Sequence, residues 1–442
     1  MQKKIKVILL CHFSNEEIRK KISTRINKIE AIARKLLGKS NIATKDNDFA
    51  PWITNLIREF EKIDNIELHV VAPILNLSND ITEFNLRGVY YYFFKGNLSF
   101  PFENIIAKIR GDNRRYRHNT KLVQKLVNRV KPDIINLVGS ENPYYSSTIL
   151  SIDNIPIYVS AQTVYTNPAR KELSGHVSNL KWNVELNIHK KETYYGCGGR
   201  MHRDLILKNN PNAIIFKMFF PIQRPVGVKP ENKLYDFVSF SQSVSEKKGA
   251  NDAIEALALV KRKHPEVKLN LVGHFNYESE YGKKLIERIE ELELNNNVVF
   301  TPYFSNHNDM HQHTQKARFA LLPVKLDIIS GSIIEAILLD LPLVTYKTTG
   351  TPYINKDGEC ILISDIGDIK ALADNMIRLM EDSKLADSNK IKAKEFVNRT
   401  FDSKLSAVRL YENYKAVINH YHNGAKIPNE LLFSTKEFPI YK

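Results

Sequence analysis

Between Leu321 and Pro352 the chain reads LLPVKLDIISGSIIEAILLDLPLVTYKTTGTP. Ser330, Gly331 and Ser332 open an apolar run of helical period, and Glu335 falls in its first turn. Glycine and serine at a helix start leave backbone N–H groups free, and the helix dipole favours an anion there. This spacing offers a phosphate seat on the amides of Gly331 and Ser332, with Asp327 and Glu335 placed to receive hydroxyls. The same residues also suit a plain capped helix with an early acid.

Other clusters carry weaker chemistry. Asp46-Asn47-Asp48 has the Asp-x-Asp form of a metal site, but it stands in a polar stretch before Pro51 rather than after a strand, so no metal is expected there. His307, His311 and His313 include an i,i+4 pair at zinc-like spacing, read here as one solvated polar helix. Arg114, Arg115 and Arg117 form the densest basic cluster. It reads either as a solvated loop or as a contact for anionic lipid or a diphosphate-linked acceptor, where each basic residue near the surface adds about 1 kcal/mol. The aromatic run Tyr90–Phe94 reads as a buried strand, with a sugar or lipid platform as the alternative, and no covalent nucleophile stands out.

The elements that must position these residues follow from patterning. The chain has 442 residues and a net charge of +15. Residues 1–225 carry 35 basic and 20 acidic side chains, whereas 226–442 carry 29 of each. The whole excess lies in the front half and points to an anionic partner there, or to solubility alone. Cys11, Cys197 and Cys360 are widely spaced and odd in number, which excludes a disulfide scaffold and fits a reducing compartment. No apolar run reaches the roughly 18 residues of a membrane-spanning helix, and MQKKIKVILLCHF reads as a first strand rather than a leader.

Short apolar strands alternate with helical segments through two complete patterns, as a parallel sheet covered on both faces requires. In the front half the strands are 6–11, 67–72, 89–94, 133–138, 156–160 and 213–217, with helices at 16–37, 51–63 and 118–130. In the back half they are 237–240, 268–272, 298–301, 319–322 and 343–345, with helices at 249–264, 279–293 and 332–339. The proline-rich stretch 220–230 separates the two patterns. The expected organisation is an N-terminal domain over 1–222, a C-terminal domain over 223–402, a helix at about 403–424 packing back on the first domain, and a tail over 425–442. The fold class is α/β, two doubly wound Rossmann-like domains facing a central cleft, with ligands beyond the carboxyl ends of the strands.

Asp327-x7-Glu335-Ala336, Leu341-Pro342-Leu343-Val344-Thr345 and Thr349-Gly350-Thr351-Pro352 together resemble the signature of retaining GT-B glycosyltransferases of family 4, the glycosyltransferase group 1 domain. The first acid is Asp where the family usually has Glu. The stretch 241–256, SQSVSEKKGANDAIEA, resembles the segment in which an Arg and a Lys grip the donor diphosphate. Lys248 and Gly249 match it, with Lys247 a second candidate, and Gln242 or Ser243 stands in the place of the Arg. That change removes a bidentate clamp. Gly273 matches a strand-to-glycine element, and Tyr303 lies in the loop that is similar to the nucleobase cradle.

The front half resembles the family more loosely. Ser140, Glu141 and Asn142 follow a strand on the acceptor side, and His12 stands where a Gly-rich loop is usual. Gln162 occupies the place of a site His, and Arg200 opens a segment similar to the family's Arg-Thr-x-x-Asp turn. The resemblance implies a metal-independent, retaining hexosyltransferase, with no cofactor and a nucleotide-diphosphate sugar as substrate. Asp327, Lys248 and Gln162 would be catalytic, while Glu335 would hold the ribose. Partners implied are a glycan or lipid-linked acceptor and an anionic membrane, not nucleic acid. The implied setting is bacterial surface polysaccharide or glycan assembly in the cytoplasm, at the inner face of the cytoplasmic membrane. A sugar-nucleotide epimerase on the same fold and a non-catalytic anionic-polymer binder are the alternatives.

Overall fold

The protein is described by a computed structural model covering residues 4–24, 49–74, 77–96, 116–168, 170, 177–222, 224–325 and 329–436. One compact unit comprises the described residues up to Pro221 together with Ser403–Thr435, and the other comprises Ile222–Asp402.

The first unit is built on β1 (Ile5–Leu10), β2 (Ile66–Ile74), β3 (Ile81–Leu86), β4 (Val89–Lys95), β5 (Ile134–Val138), β6 (Ile157–Ser160), β7 (Tyr194–Cys197) and β8 (Ile214–Lys217). They pair in the order β3-β4-β2-β1-β5-β6-β7-β8. All neighbours are parallel except β3 and β4. β1 and β5 are almost wholly apolar because helices cover both faces of the sheet. β3 escapes the strand pattern of the sequence because it is an edge strand of alternating polarity, ITEFNL, joined to β4 by a tight turn. Arg87 and Gly88 in that turn have φ of 50° and 80°, the pair of left-handed residues that a type I′ hairpin needs.

The helix Ser403–Asn423 returns to this first unit. Asn136 donates to the Tyr414 hydroxyl at 2.6 Å, and Asn413 donates to the Tyr158 hydroxyl at 3.1 Å. Tyr414 and Val417 are fully buried within the same core as Val7, Leu9 and Phe60. Burying an aliphatic or aromatic side chain of this size stabilises by roughly 1.5–3 kcal/mol, so this helix is an integral part of that core.

The second unit contains β9 (Tyr235–Ser243), β10 (Leu269–His274), β11 (Val298–Thr301), β12 (Ala317–Leu322), β13 (Leu343–Tyr346) and β14 (Leu362–Ser364). Their order is β11-β10-β9-β12-β13-β14, and all pairs are parallel. Short polar residues start the crossover helices. Ser279, Asp368 and Asp382 accept from the amides of Gly282, Ala371 and Leu385 at 3.0, 2.9 and 2.9 Å. β7 and β14, four and three residues long, have no counterpart among the strands expected from the sequence.

Strand order reverses at β1 in one sheet and at β9 in the other. Each central strand has a neighbour leaving in either direction, so the loops after β1 and β5, and after β9 and β12, open the crevice where such sheets bind ligands. No described helix is long and apolar enough to cross a membrane.

Candidate active site

In the second unit the loop after β9 carries Lys247, Lys248 and Gly249, and the loop after β12 leads to Ser330. The two loops touch through their backbones. The Lys325 amide donates to the Lys247 carbonyl at 3.1 Å. Gly249 has φ of 79°, and a Cβ there would lie 2.0 Å from the Pro323 carbonyl oxygen, so only glycine fits. Lys248 Nζ reaches to 3.5 Å from Ser330 Oγ, while Lys247 is exposed.

Ser330 is the N-cap of the helix Gly331–Leu338, and its own side chain makes no capping hydrogen bond there. The Ser330 hydroxyl instead lies 3.0 Å from the Ser332 hydroxyl. Gly331 is exposed, with open space where a Cβ would stand. Free amides, a helix dipole and a lysine therefore converge on one spot, an arrangement suited to an oxyanion. The helix starts at Gly331, one residue before the expected Ser332, which places Glu335 in the second turn rather than the first. Asp327 lies outside the described residues.

Behind these loops stands a polar set that the sequence does not reveal. Lys325 Nζ pairs with Asp252 Oδ1 at 2.7 Å, and the Tyr346 hydroxyl donates to Asp252 Oδ2 at 2.7 Å. Asp252 sits in the first turn of the helix Ala250–Lys261, where a negative charge suits the dipole. The set ties the β9 loop, the β12 loop and the end of β13 together. Burial and the hydrogen bond to Asp252 push the Tyr346 hydroxyl far above its usual range, so it stays a neutral donor.

Gly273 breaks the register between β9 and β10. Its φ is 152°, and a Cβ would lie 2.6 Å from the Ser241 carbonyl oxygen, so the strand ends approach too closely for any side chain. Next to it, His274 stacks on Tyr303, with ring centroids 4.3 Å apart and planes 16° from parallel. This pair offers a flat aromatic face at the carboxyl ends of β10 and β11. Gln242 is exposed at the end of β9.

Glu335 faces the helix His307–Thr314. His307 Nε2 lies 2.9 Å from Glu335 Oε1, and His311 Nε2 lies 3.7 Å from Oε2. Burial would raise the Glu335 carboxyl, but the hydrogen bond with His307 and the nearness of both imidazoles outweigh it and hold the group well below the usual carboxylate range. Glu335 is thus an ionised acceptor at neutral pH. The reading of this helix as solvated holds for His307 and needs correction for His311, which is only 3% exposed. His313 faces away, with Nε2 2.9 Å from Asn270 Oδ1.

In the first unit, His12, Ser140–Asn142, Gln162 and Arg200 follow β1, β5, β6 and β7, neighbouring parallel strands, and so share one edge of the sheet. His12 Nδ1 is bonded to the Tyr144 hydroxyl. Ser140 is turned inward and donates to the buried Glu185 at 2.8 Å, which makes it a support of the loop rather than an exposed contact. Asn142 accepts through its backbone from the Tyr145 and Ser146 amides at 3.2 and 3.0 Å. Arg200 lies 3.7 Å from Asp204 at the start of the helix Arg200–Asn209. Arg117 is exposed at the start of the helix Arg117–Val130. Arg114, Arg115 and Asp46-Asn47-Asp48 lie outside the described residues.

Glu141 is pushed up to about 7 by burial and by the nearby Glu185 charge, against Lys181, Arg170 and a backbone hydrogen bond that lower it. One of its oxygens, Oε2, is buried without a hydrogen bond. A raised carboxyl keeps its proton in the fold after the unfolded chain has lost it. Its contribution to stability is therefore complete below pH 4.5 and is lost as the pH rises through about 7. Glu141→Gln should remove that loss, on the order of 2–3 kcal/mol. Urea unfolding of both proteins from pH 4.5 to 8 checks this, and parallel pH profiles would refute it.

Residues 222–396 match the family described as Glycosyl transferases group 1. Lys247, Lys248, Gly249, Gly273, Tyr303, Ser330, Gly331 and Glu335 all lie inside that span. Residues 222–396 are a group 1 glycosyltransferase domain. Within this domain the two contacting loops at the β9 switch point are the centre of the candidate site.

A 115-residue stretch is 27% identical to 2-deoxystreptamine N-acetyl-D-glucosaminyltransferase of Niallia circulans, covering 26% of this chain and 29% of the relative. The match thus spans less than a third of that protein. Sucrose-phosphate synthase of Thermosynechococcus elongatus is similar in structure with a TM-score of 0.65 at 12% identity, over 93% of this chain and 98% of the other. HepE of Anabaena, in complex with UDP and glucose, gives a TM-score of 0.61 at 16% identity, over 93% of this chain and 100% of the other. These likenesses, with the two sheets, make the fold GT-B.

Proposed function

We propose that this protein transfers a sugar from a nucleotide-diphosphate sugar to an acceptor hydroxyl, with retention at the anomeric carbon. The observation that carries the reading is the approach of Lys248 to Ser330 at the start of the helix Gly331–Leu338, inside the group 1 domain. Departure of the diphosphate from an oxocarbenium-like centre builds negative charge on the leaving group. Positive charge and aligned N–H dipoles at that position stabilise it where it forms. Lys248 and the amides of Gly331 and Ser332 take that role. Asp327 holds hydroxyls of the donor sugar, ionised Glu335 accepts from the ribose, and the stacked His274–Tyr303 pair offers a face for the base.

The acceptor belongs to the first unit, at the strand edge bearing His12, Glu141, Asn142, Gln162 and Arg200. The surplus positive charge of residues 1–225 suits an acidic or lipid-diphosphate acceptor, or an anionic membrane surface. Assembly of a bacterial surface polysaccharide is the setting this chemistry fits. Transfer needs no metal, because lysine and helix amides supply the charge that a divalent ion provides elsewhere.

The test is a thermal-shift and calorimetric panel of UDP, GDP, ADP and dTDP, followed by the matching sugar nucleotides with EDTA present. At least one diphosphate should raise the melting temperature of the protein, and transfer should survive EDTA. If no nucleoside diphosphate binds, the transferase reading is wrong. Conversion of a sugar nucleotide to an isomer without acceptor would favour the epimerase instead.

A further inference from the structure

His307, His311 and Glu335 lie at one point of the second unit, where one nitrogen or oxygen from each falls within 4.8 Å of the others. We propose that these three side chains form a binding site for a divalent transition metal, zinc in particular, distinct from the metal-free transfer chemistry. The donor set is two imidazoles and one carboxylate, the borderline-soft mixture that zinc takes, with a fourth position left for water.

The geometry supports this beyond composition. His307 and His311 are i and i+4 on the helix His307–Thr314, so both rings leave the same face. Zinc bonds of about 2.0–2.2 Å put the ligand atoms of a tetrahedral site roughly 3.4 Å apart. The separations of 2.9 Å from His307 Nε2 to Glu335 Oε1 and 3.7 Å from His311 Nε2 to Oε2 bracket that value.

The second observation is His311 itself. It is 3% exposed, and among the described residues neither of its ring nitrogens has a hydrogen-bond partner. Leaving a buried polar group unsatisfied costs on the order of 1–3 kcal/mol. At 3.7 Å, Glu335 is too far to accept a hydrogen bond from Nε2, but a metal between the two would bond to both. His307, with nearly half of its side chain exposed, provides the way in.

The site has a consequence for the donor, which rests on the reading of Glu335 as the ribose acceptor. A bound metal would occupy that carboxylate, so zinc and the nucleotide would exclude one another.

Zinc binding is measured first, on the full chain without nucleotide, by equilibrium dialysis and by the visible spectrum of the cobalt-substituted protein. One zinc per chain and the d–d bands of a low-coordinate cobalt site are expected. His307→Ala and His311→Ala should each lose stoichiometric binding, while His313→Ala should keep it. His307 lies at the surface, so its variant tests the proposal even if the His311 change disturbs folding. Absence of stoichiometric zinc in the wild type, or wild-type binding in His307→Ala, overturns the site. Nucleoside diphosphate affinity is then compared with and without zinc in the wild type and in His307→Ala. Zinc that binds as expected yet leaves this affinity unchanged upholds the metal site and removes Glu335 from the ribose.

Discussion

Gly249→Ala is expected to reduce donor binding and turnover by about two orders of magnitude and to destabilise the second unit. An L-residue at φ of 79° costs roughly 1–2 kcal/mol by itself. The larger effect is steric. The new Cβ would lie 2.0 Å from the Pro323 carbonyl oxygen and 2.7 Å from its carbon, both backbone atoms that cannot rotate away. An ordinary contact between such atoms is about 3.3 Å or more, so the β9 and β12 loops must separate by roughly 1 Å. Misplacement of that size in a positioned site costs about a hundredfold in rate. The total loss of stability should be about 2–4 kcal/mol. Gly331→Ala is the contrast, because open space surrounds that position. It should melt like the wild type yet bind the donor more weakly, through crowding of the phosphate seat. Thermal melts and nucleotide titration of both variants check the pair. A Gly249→Ala protein that melts and binds like the wild type would remove the contact from the account.

Lys248→Gln should lower kcat/KM by about 10²–10³, equivalent to roughly 2.7–4 kcal/mol of transition-state stabilisation. The change keeps much of the side chain's length and removes only its charge, so the fold and melting temperature should hold. Lys247→Gln should cost far less. Lys247 is exposed, whereas Lys248 is half-buried and reaches Ser330 at the helix start. Under the proposed function, Gln242 or Ser243 stands where the family resemblance implies an Arg, which would leave more of the diphosphate's charge to Lys248. Initial rates with the matching sugar nucleotide settle the ranking. A larger loss at Lys247 than at Lys248 would contradict the geometry.

Much of this architecture is readable residue by residue. The central strands β1, β5, β9 and β12 announce themselves because burial on both faces demands apolar runs. Helix starts are legible where glycine or a short polar residue precedes an amphipathic run, as at Gly249 and Ser279. β3 hides because it is an edge strand with one wet face, and β7 because its four residues include Gly196. Lys325 had a signal of position, two residues before Asp327, but nothing local pairs it with Asp252. Ser140 is similar in kind. Its place after β5 is readable, while its inward turn toward Glu185 depends on a helix 45 residues later.

The sequence by itself determined two α/β patterns, the excess of positive charge in residues 1–225, the phosphate-suited helix start at Ser330–Ser332 and the lysines at 247–248. Each is set by composition, period or capping within a few turns of chain, so each survives without knowledge of the fold. Only the tertiary structure decided which distant residues meet. Tyr346 and Asp252 are 94 residues apart, and His307 and Glu335 are 28 apart, yet both pairs lie within hydrogen-bonding distance. The cause is strand order. With β12 beside β9, the loops that end those strands are brought into contact across the intervening chain. That contact makes Gly249 indispensable and sets Lys248 against the helix start.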